Sequence, residues 1–156
     1  MISFDSAVDI VRRSARRARV ESVPLARAHG RALAEPVLSP LDSPPFDKSA
    51  MDGYAVRSVD RADSYRVVET IPAGGGERRP LGAGECARIM TGAMLPGGAD
   101  CVIRLEYARE ETGLMRPLRE ERQSNVIRRG ENLKAGETVL VPRRLEPKDV
   151  GILASL

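Results

Sequence analysis

From residue 52 to residue 141 no apolar run outlasts a short strand before Gly or Pro interrupts it. The chain of 156 residues holds 14 glycines and 11 prolines. They punctuate this stretch so closely that no long helix fits in it. The β-type runs are Gly53 to Arg57, Tyr65 to Ile71, Glu85 to Met90, Asp100 to Tyr107, Leu114 to Leu118, Asn125 to Arg128 and Thr138 to Val141. Short strands separated by turn signals predict a small barrel or sandwich. With 2 Phe, 3 Tyr and no Trp, its core must rest on Val, Leu, Ile, Ala and Met.

The ends read differently. Phe4, Ala7, Val8, Val11, Ala15 and Ala18 recur at helical spacing, which predicts an amphipathic helix over 4–18 capped by Ser3 or Asp5. Its other face carries Arg12, Arg13, Arg16, Arg17 and Arg19. Their reading is a solvated face that suits the helix C-terminus, with anion or nucleic-acid binding as the alternative. A second helix is expected over 25–34, opened by Pro24 and stopped before Pro36. Residues 35–47 hold Pro36, Pro40, Pro44 and Pro45 and predict a stiff, extended connection. The segment from Pro147 opens like a helix and stops in apolar residues without a C-cap. These residues are expected to pack on another element, or the natural chain to continue.

Composition excludes several function classes. Hydrophobic residues are 42% and charged residues 30%, a globular balance. No apolar run reaches the roughly 18 residues of a membrane span. The start Met1-Ile2-Ser3-Phe4-Asp5 is not a secretory signal, so the cytoplasm is the expected compartment. The net charge of +3 suits an anionic ligand and is too small to argue nucleic-acid binding. Cys86 and Cys101 are read as buried free thiols, and one His with two lone Cys cannot build the usual zinc site. His29 is read as a surface or packing residue. Any metal would be a hard cation held by oxygens.

Three polar, turn-rich segments can carry chemistry. Asp52-Gly53 places a carboxylate on a sharp turn at a strand start. It either caps the turn or meets a cation or ligand. At Thr91-Gly92 a strand runs into a hydroxyl and backbone amides able to hold an oxyanion; the alternative is a Gly-rich surface connection. The Lys-Ser/Thr ending of a Walker loop and the frame of a Rossmann fingerprint are missing. Arg128-Arg129 beside Gly130 offers bidentate donors to phosphate or carboxylate, or is simply solvated.

Taken together and in this order, the segments resemble one family. Ser-Ala-Met-Asp-Gly-Tyr-Ala at 49–55, Arg-Ile-Met-Thr-Gly-Ala at 88–93 and Arg-Arg-Gly-Glu at 128–131 are similar to the marks of molybdopterin molybdenumtransferases, which include the gephyrin E domain. His-Gly-Arg-Ala-Leu-Ala at 29–34, Ser-Pro-Leu-Asp-Ser-Pro-Pro-Phe-Asp at 39–47 and the closing Ile-Leu-Ala-Ser-Leu fit the same pattern. The resemblance covers essentially the whole chain.

The resemblance implies an α+β, mostly β fold. An elongated helical dimerisation region, 1–44 with 136–156, would carry an inserted barrel- or sandwich-like domain over 45–135. The family's C-terminal α/β and β-barrel domains have no counterpart here. It implies molybdenum cofactor biosynthesis: molybdate is inserted into adenylylated molybdopterin, with magnesium, and AMP is released. This chain would supply the homodimer frame and one wall of the cleft, possibly working with a separate chain that carries the α/β domain. Neither nucleic acid nor membrane is expected as a partner. By motif, Asp52 would orient a cation or the pyrophosphate bridge and Thr91 would hydrogen-bond the ligand. Ser49, Gly92, Arg128 and Arg129 would line the substrate side. Asn132 stands where many members have Asp, and an amide lacks the anionic oxygen a hard cation prefers. The alternative is a stand-alone, non-catalytic dimerisation or ligand-binding module.

Overall fold

The computed structural model describes residues 2–16 and 18–156. The chain divides into two compact units. One is Met1–Pro36 with Leu140–Leu156; the other is Val37–Val139. The boundaries thus fall at 36/37 and 139/140, where the sequence placed them at 44/45 and 135/136. The described structure is mostly β with few helices.

In the first unit α1 spans Phe4–Ser14. Ser3 caps it, its hydroxyl accepting from the Ser6 N–H at 3.2 Å. The helix stops four residues short of the expected end, with Ala15 extended. None of its residues is buried, so local propensity alone must carry it. Another turn would set Arg12 against Arg16, a like-charge pair at i,i+4. Arg17 lies outside the described residues.

The helix expected over 25–34 is a correction. Only the 3-10 turn Leu25–Arg27 forms. Gly30 takes φ of 78°, a left-handed conformation that ends a helix. Arg31 to Leu33 then run extended: the Leu33 N–H donates to the Arg143 carbonyl at 2.8 Å, and the Leu145 N–H to that of Arg31 at 2.8 Å. His29 is exposed.

The closing helix α2 spans Pro147–Ala154 with Pro in its first turn. Glu146 and Asp149 form a reciprocal capping box, the Glu146 N–H donating to Asp149 Oδ2 at 2.9 Å. Asp149 is fully buried and pairs with Arg143. The expected lack of a C-cap is also corrected. Ser155 takes that place, its N–H donating to the Ile152 carbonyl at 3.0 Å and its hydroxyl at 2.7 Å.

The second unit holds the sheet. Its strands are β1 (Val37–Leu38), β2 (Lys48–Ser49), β3 (Gly53–Val56), β4 (Tyr65–Ile71), β5 (Glu85–Ile89), β6 (Cys101–Arg104), β7 (Ala108–Glu111), β8 (Leu114–Pro117), β9 (Val126–Ile127) and β10 (Thr138–Leu140), which crosses the unit boundary. Six of them form one sheet in the order β6-β3-β5-β4-β8-β7. Only β4 and β5 run parallel; the other ladders are antiparallel. Among the described residues no ladder joins the outer strands β6 and β7, so the sheet is open where a closed barrel was one expectation. Two small ladders, β1 with β10 and β2 with β9, lie outside it. The strands β1, β2 and β7 were not foreseen.

Two buried clusters hold the sheet. Ala55, Ile71, Leu81, Ala87, Ile89, Ala93, Leu95 and Val102 form one. Tyr54, Val56, Tyr65, Cys86, Ile103 and Met115 form the other. Each large aliphatic among them contributes about 1.5–3 kcal/mol by leaving water. Cys86 is buried and Cys101 only half-buried; both are free. Burial pushes their thiols up to about 12 and about 11, so neither is an active nucleophile.

Two glycine substitutions test this packing. A Cβ on Gly53 would lie 2.2 Å from the Ile103 carbonyl oxygen, which is fixed backbone. Gly53→Ala should therefore cost about 3 kcal/mol in denaturant unfolding, or abolish folding. Gly151, inside α2, has open space around its Cβ position. Gly151→Ala should stabilise by about 0.5–1 kcal/mol. Acid unfolding tests the buried carboxylate. The Glu146 backbone N–H and then Arg143 hold Asp149 below its ordinary value of 3.8. A depressed carboxyl stabilises above its unfolded pKa, and that stability is lost as pH falls through the folded one. Asp149→Asn should flatten the loss of stability below about pH 4 that the parent chain shows.

Candidate functional site

Strand β3 is the second strand of the sheet, and the residue before it is Asp52. Gly53 faces Ile89 on β5 and Arg104 on β6. The turn into β3 therefore lies beside the end of β5, where the chain runs on into Met90, Thr91 and Gly92. The two motifs, 39 residues apart, meet through this register.

Asp52 and Thr91 are both exposed. Asp52 Oδ1 accepts two hydrogen bonds, from the Thr91 N–H at 2.7 Å and the Thr91 hydroxyl at 2.7 Å. The Asp52 backbone is fixed as well, its carbonyl accepting from the Leu105 N–H at 3.2 Å. The backbone bond from Thr91, then its hydroxyl and the positive field of Arg88 hold the Asp52 carboxyl below its ordinary value. Asp52 is thus an aimed, ionised carboxylate whose Oδ2 has no hydrogen-bond partner among the described residues. The Thr91 hydroxyl donates its hydrogen bond to Asp52, so toward a ligand Oγ1 offers lone pairs.

The backbone amides at this turn are spent. Gly92, at φ of 81°, donates its N–H to the Ser49 carbonyl at 2.8 Å, and Ala93 donates to Met90 at 3.0 Å. With the Thr91 N–H on Asp52, the expected cradle of amides for an oxyanion is not there. Ser49, expected on the substrate side, is fully buried. Its hydroxyl donates to the Met51 carbonyl and accepts from the Met51 N–H at 3.2 Å, so it builds the turn.

Arg128 and Arg129 form a second locus. The Arg128 guanidinium donates to Asp47 Oδ2 at 2.6 Å, and the Arg129 N–H to Asp47 Oδ1 at 2.8 Å. The Arg129 Nε–H donates to Asp42 Oδ2 at 2.6 Å. These pairs clamp the 39–47 connection to the 128–135 loop, and both carboxyls are held below their ordinary values. Both arginines are therefore committed to aspartates within the chain. Sequence reasoning missed Asp42 and Asp47, although two aspartates in a proline-stiffened segment are natural partners for a pair of arginines.

Asn132 is exposed, and its backbone N–H donates to the Ser43 carbonyl at 3.0 Å. A magnesium ion demands near-octahedral oxygen ligation. Among the described residues no three His, Cys, Asp or Glu side chains gather to offer it. One exposed carboxylate, half engaged by Thr91, and an amide at 132 do not make a magnesium site on their own.

A family model described as the MoeA N-terminal region, domains I and II, matches residues 2–156. The chain belongs to this family. It is 38% identical over 144 residues to a molybdopterin molybdenumtransferase of Nostoc sp., covering 86% of this chain and 33% of that one. It is 36% identical over 156 residues to molybdopterin molybdenumtransferase 2 of Mycobacterium tuberculosis, covering 94% and 38%. The solved molybdopterin biosynthesis MoeA protein from Pyrococcus horikosii superposes with a TM-score of 0.87 at 32% identity, over 99% of this chain and 42% of that one. The chain thus spans a little over a third of these curated relatives' length. No helix among the described residues of this MoeA family member is long and apolar enough to cross a membrane.

The Asp52–Thr91 clasp has a spectroscopic test. Thr91→Val removes the hydroxyl and leaves the backbone N–H, the larger cause of the depressed carboxyl. The Asp52 carboxyl carbon, followed by NMR through an acid titration, should move part of the way up toward 3.8 and no further. An unmoved midpoint would mean the hydroxyl is not bonded to Asp52.

Proposed function

We propose that this chain supplies one wall of the ligand cleft in a molybdopterin molybdenumtransferase, together with the frame on which two copies pair. The reaction inserts molybdate into adenylylated molybdopterin and releases AMP. The other wall, with most of the pterin and molybdate contacts, comes from an α/β domain, on the same polypeptide or on another. Family membership and the names of the relatives support the reaction class. The single observation that carries the wall assignment is the exposed Asp52 carboxylate, ionised and aimed by Thr91.

The roles follow from protonation. Asp52 Oδ2 accepts a hydrogen bond from a donor on the ligand. Thr91 Oγ1 accepts a second. Both are fixed before the ligand arrives, so little reorganisation is needed at the moment of reaction. A magnesium ion in the assembled cleft would supply neutralisation of phosphate charge. The described residues of this chain do not hold it by themselves. The same reading places the protein in the cytoplasm, as a homodimer built on its first unit.

Release of AMP decides the matter. The purified chain is mixed with adenylylated molybdopterin, molybdate and magnesium, with and without a chain carrying the α/β domain. AMP should appear only in the presence of the α/β domain, and Asp52→Asn should slow it by about a hundredfold. Release by this chain alone would overturn the shared-cleft reading. No release in any mixture would favour a non-catalytic dimerisation or binding module.

A further inference from the structure

Every amide at the Thr91 turn is occupied, yet the proposed ligand classes are anions. The nearby donor that remains is Arg88. It stands on β5, directly opposite Tyr54 on β3 and beside Thr70 on β4. Directly paired side chains on one sheet face lie within about 5 Å at Cβ, and diagonal ones within about 8 Å. Continuing the β3–β5 register one residue past Gly53 and Ile89 sets Asp52 opposite Met90, so Arg88 is its diagonal neighbour. Tyr54 is engaged elsewhere, its hydroxyl donating to Glu110 Oε2 at 2.7 Å.

The Arg88 Nε is buried and has no hydrogen-bond partner. Among the described residues its guanidinium makes no ion pair. Other arginines of this unit behave otherwise: Arg104 is held by Glu121 at 2.9 Å, Arg128 by Asp47 and Arg129 by Asp42. That Arg88 Nε is enclosed and out of a ligand's reach, whereas the terminal nitrogens are not enclosed and donate no hydrogen bond among the described residues, so they are the donors free to meet an anion. The field of Arg88 also helps lower the Asp52 carboxyl and opposes the rise at Tyr54.

We propose that Arg88 is the anion anchor of this wall, its guanidinium receiving an oxygen of a tetrahedral oxyanion bound beside Asp52 and Thr91. This rests on the reading of that edge as ligand-facing. Two sources share the chemistry: a phosphoryl group of a diphosphate-bridged ligand, and molybdate. A planar guanidinium meets two oxygens of either at once, which a lysine cannot reproduce. The Asp52 carboxylate next to it then disfavours anions that do not also engage the arginine.

The test needs no activity. The nitrogen-15-labelled chain is titrated with inorganic pyrophosphate and, separately, with molybdate, and the arginine Nε–Hε resonances are followed. Arg88→Lys identifies the Arg88 signal by its loss, and an otherwise unchanged amide spectrum shows the variant folded. The Arg88 resonance is expected to shift saturably with at least one anion. The Thr91 amide should shift with the same midpoint, and Arg88→Lys should weaken that midpoint at least tenfold. A response to pyrophosphate assigns the anchor to the diphosphate; a response to molybdate alone assigns it to the metal oxyanion. The proposal is overturned if neither anion moves Arg88. It is equally overturned if sulfate at the same ionic strength moves all the arginines alike, or if Arg88→Lys leaves the midpoint unchanged. Failure of the AMP assay with a saturable Arg88 shift would remove the molybdenumtransferase reading and leave the anchor standing.

Discussion

The close approach of Gly53 to the Ile103 carbonyl is the contact on which the second unit depends. A Cβ at that position would sit 2.2 Å from the oxygen, so only a glycine lets β3 lie flush against β6. With β3 seated between β6 and β5, the buried faces of Ala55, Ala87, Ile89 and Val102 close over one another. The same seating fixes the turn before β3. Asp52 is thereby set beside the end of β5, where Thr91 can give it two hydrogen bonds. Packing inside the sheet and aim at its edge are consequences of one steric requirement.

Several arginines in and around the sheet are neutralised locally: Arg128 and Arg129 with aspartates, Arg104 with Glu121, Arg66 and Arg79 with Glu85. The exposed Arg128–Asp47 pair is worth about 0–1 kcal/mol, whereas the carboxylates of Glu85 and Glu121 are largely buried and would be left unpaired by loss of their arginines. Arg88 differs because its strand position turns it to the face that Tyr54 shares, and Tyr54 donates to Glu110. A cation that makes no ion-pair contact, set near an aimed carboxylate, is an arrangement with polarity, suited to a ligand that carries both donors and anionic oxygens.

Much of this was legible in the sequence because strands announce themselves through apolar runs bounded by Gly and Pro. Tyr65–Ile71 and Glu85–Ile89 were read almost to the residue. The pairing of Asp52 with Thr91 was legible only as a shared motif pattern, since 39 residues of chain separate them and register decides the contact. The helix read at 25–34 failed at Gly30, whose left-handed φ turns the chain into an extended pairing with 143–145. Its alanines and leucines carry helical propensity, but the long-range bonds outweigh it. The strands Val37–Leu38 and Lys48–Ser49 are two residues each and owe their form to distant partners, so no local pattern could mark them. The backbone amides at Thr91-Gly92 looked available because sequence does not record which acceptors the fold brings to them. Arg88 did leave a trace, as the one charged residue flanked by apolar ones late in its strand.

On the proposed function, Asp52 and Thr91 lie on a wall that meets the ligand. A crystal structure of this chain assembled with an α/β domain and adenylylated molybdopterin tests it most directly. Ligand atoms should lie within hydrogen-bond reach of Asp52 Oδ2 and Thr91 Oγ1, with the Asp52–Thr91 bonds intact. A ligand bound wholly by the α/β domain, with this edge open to solvent, would contradict it.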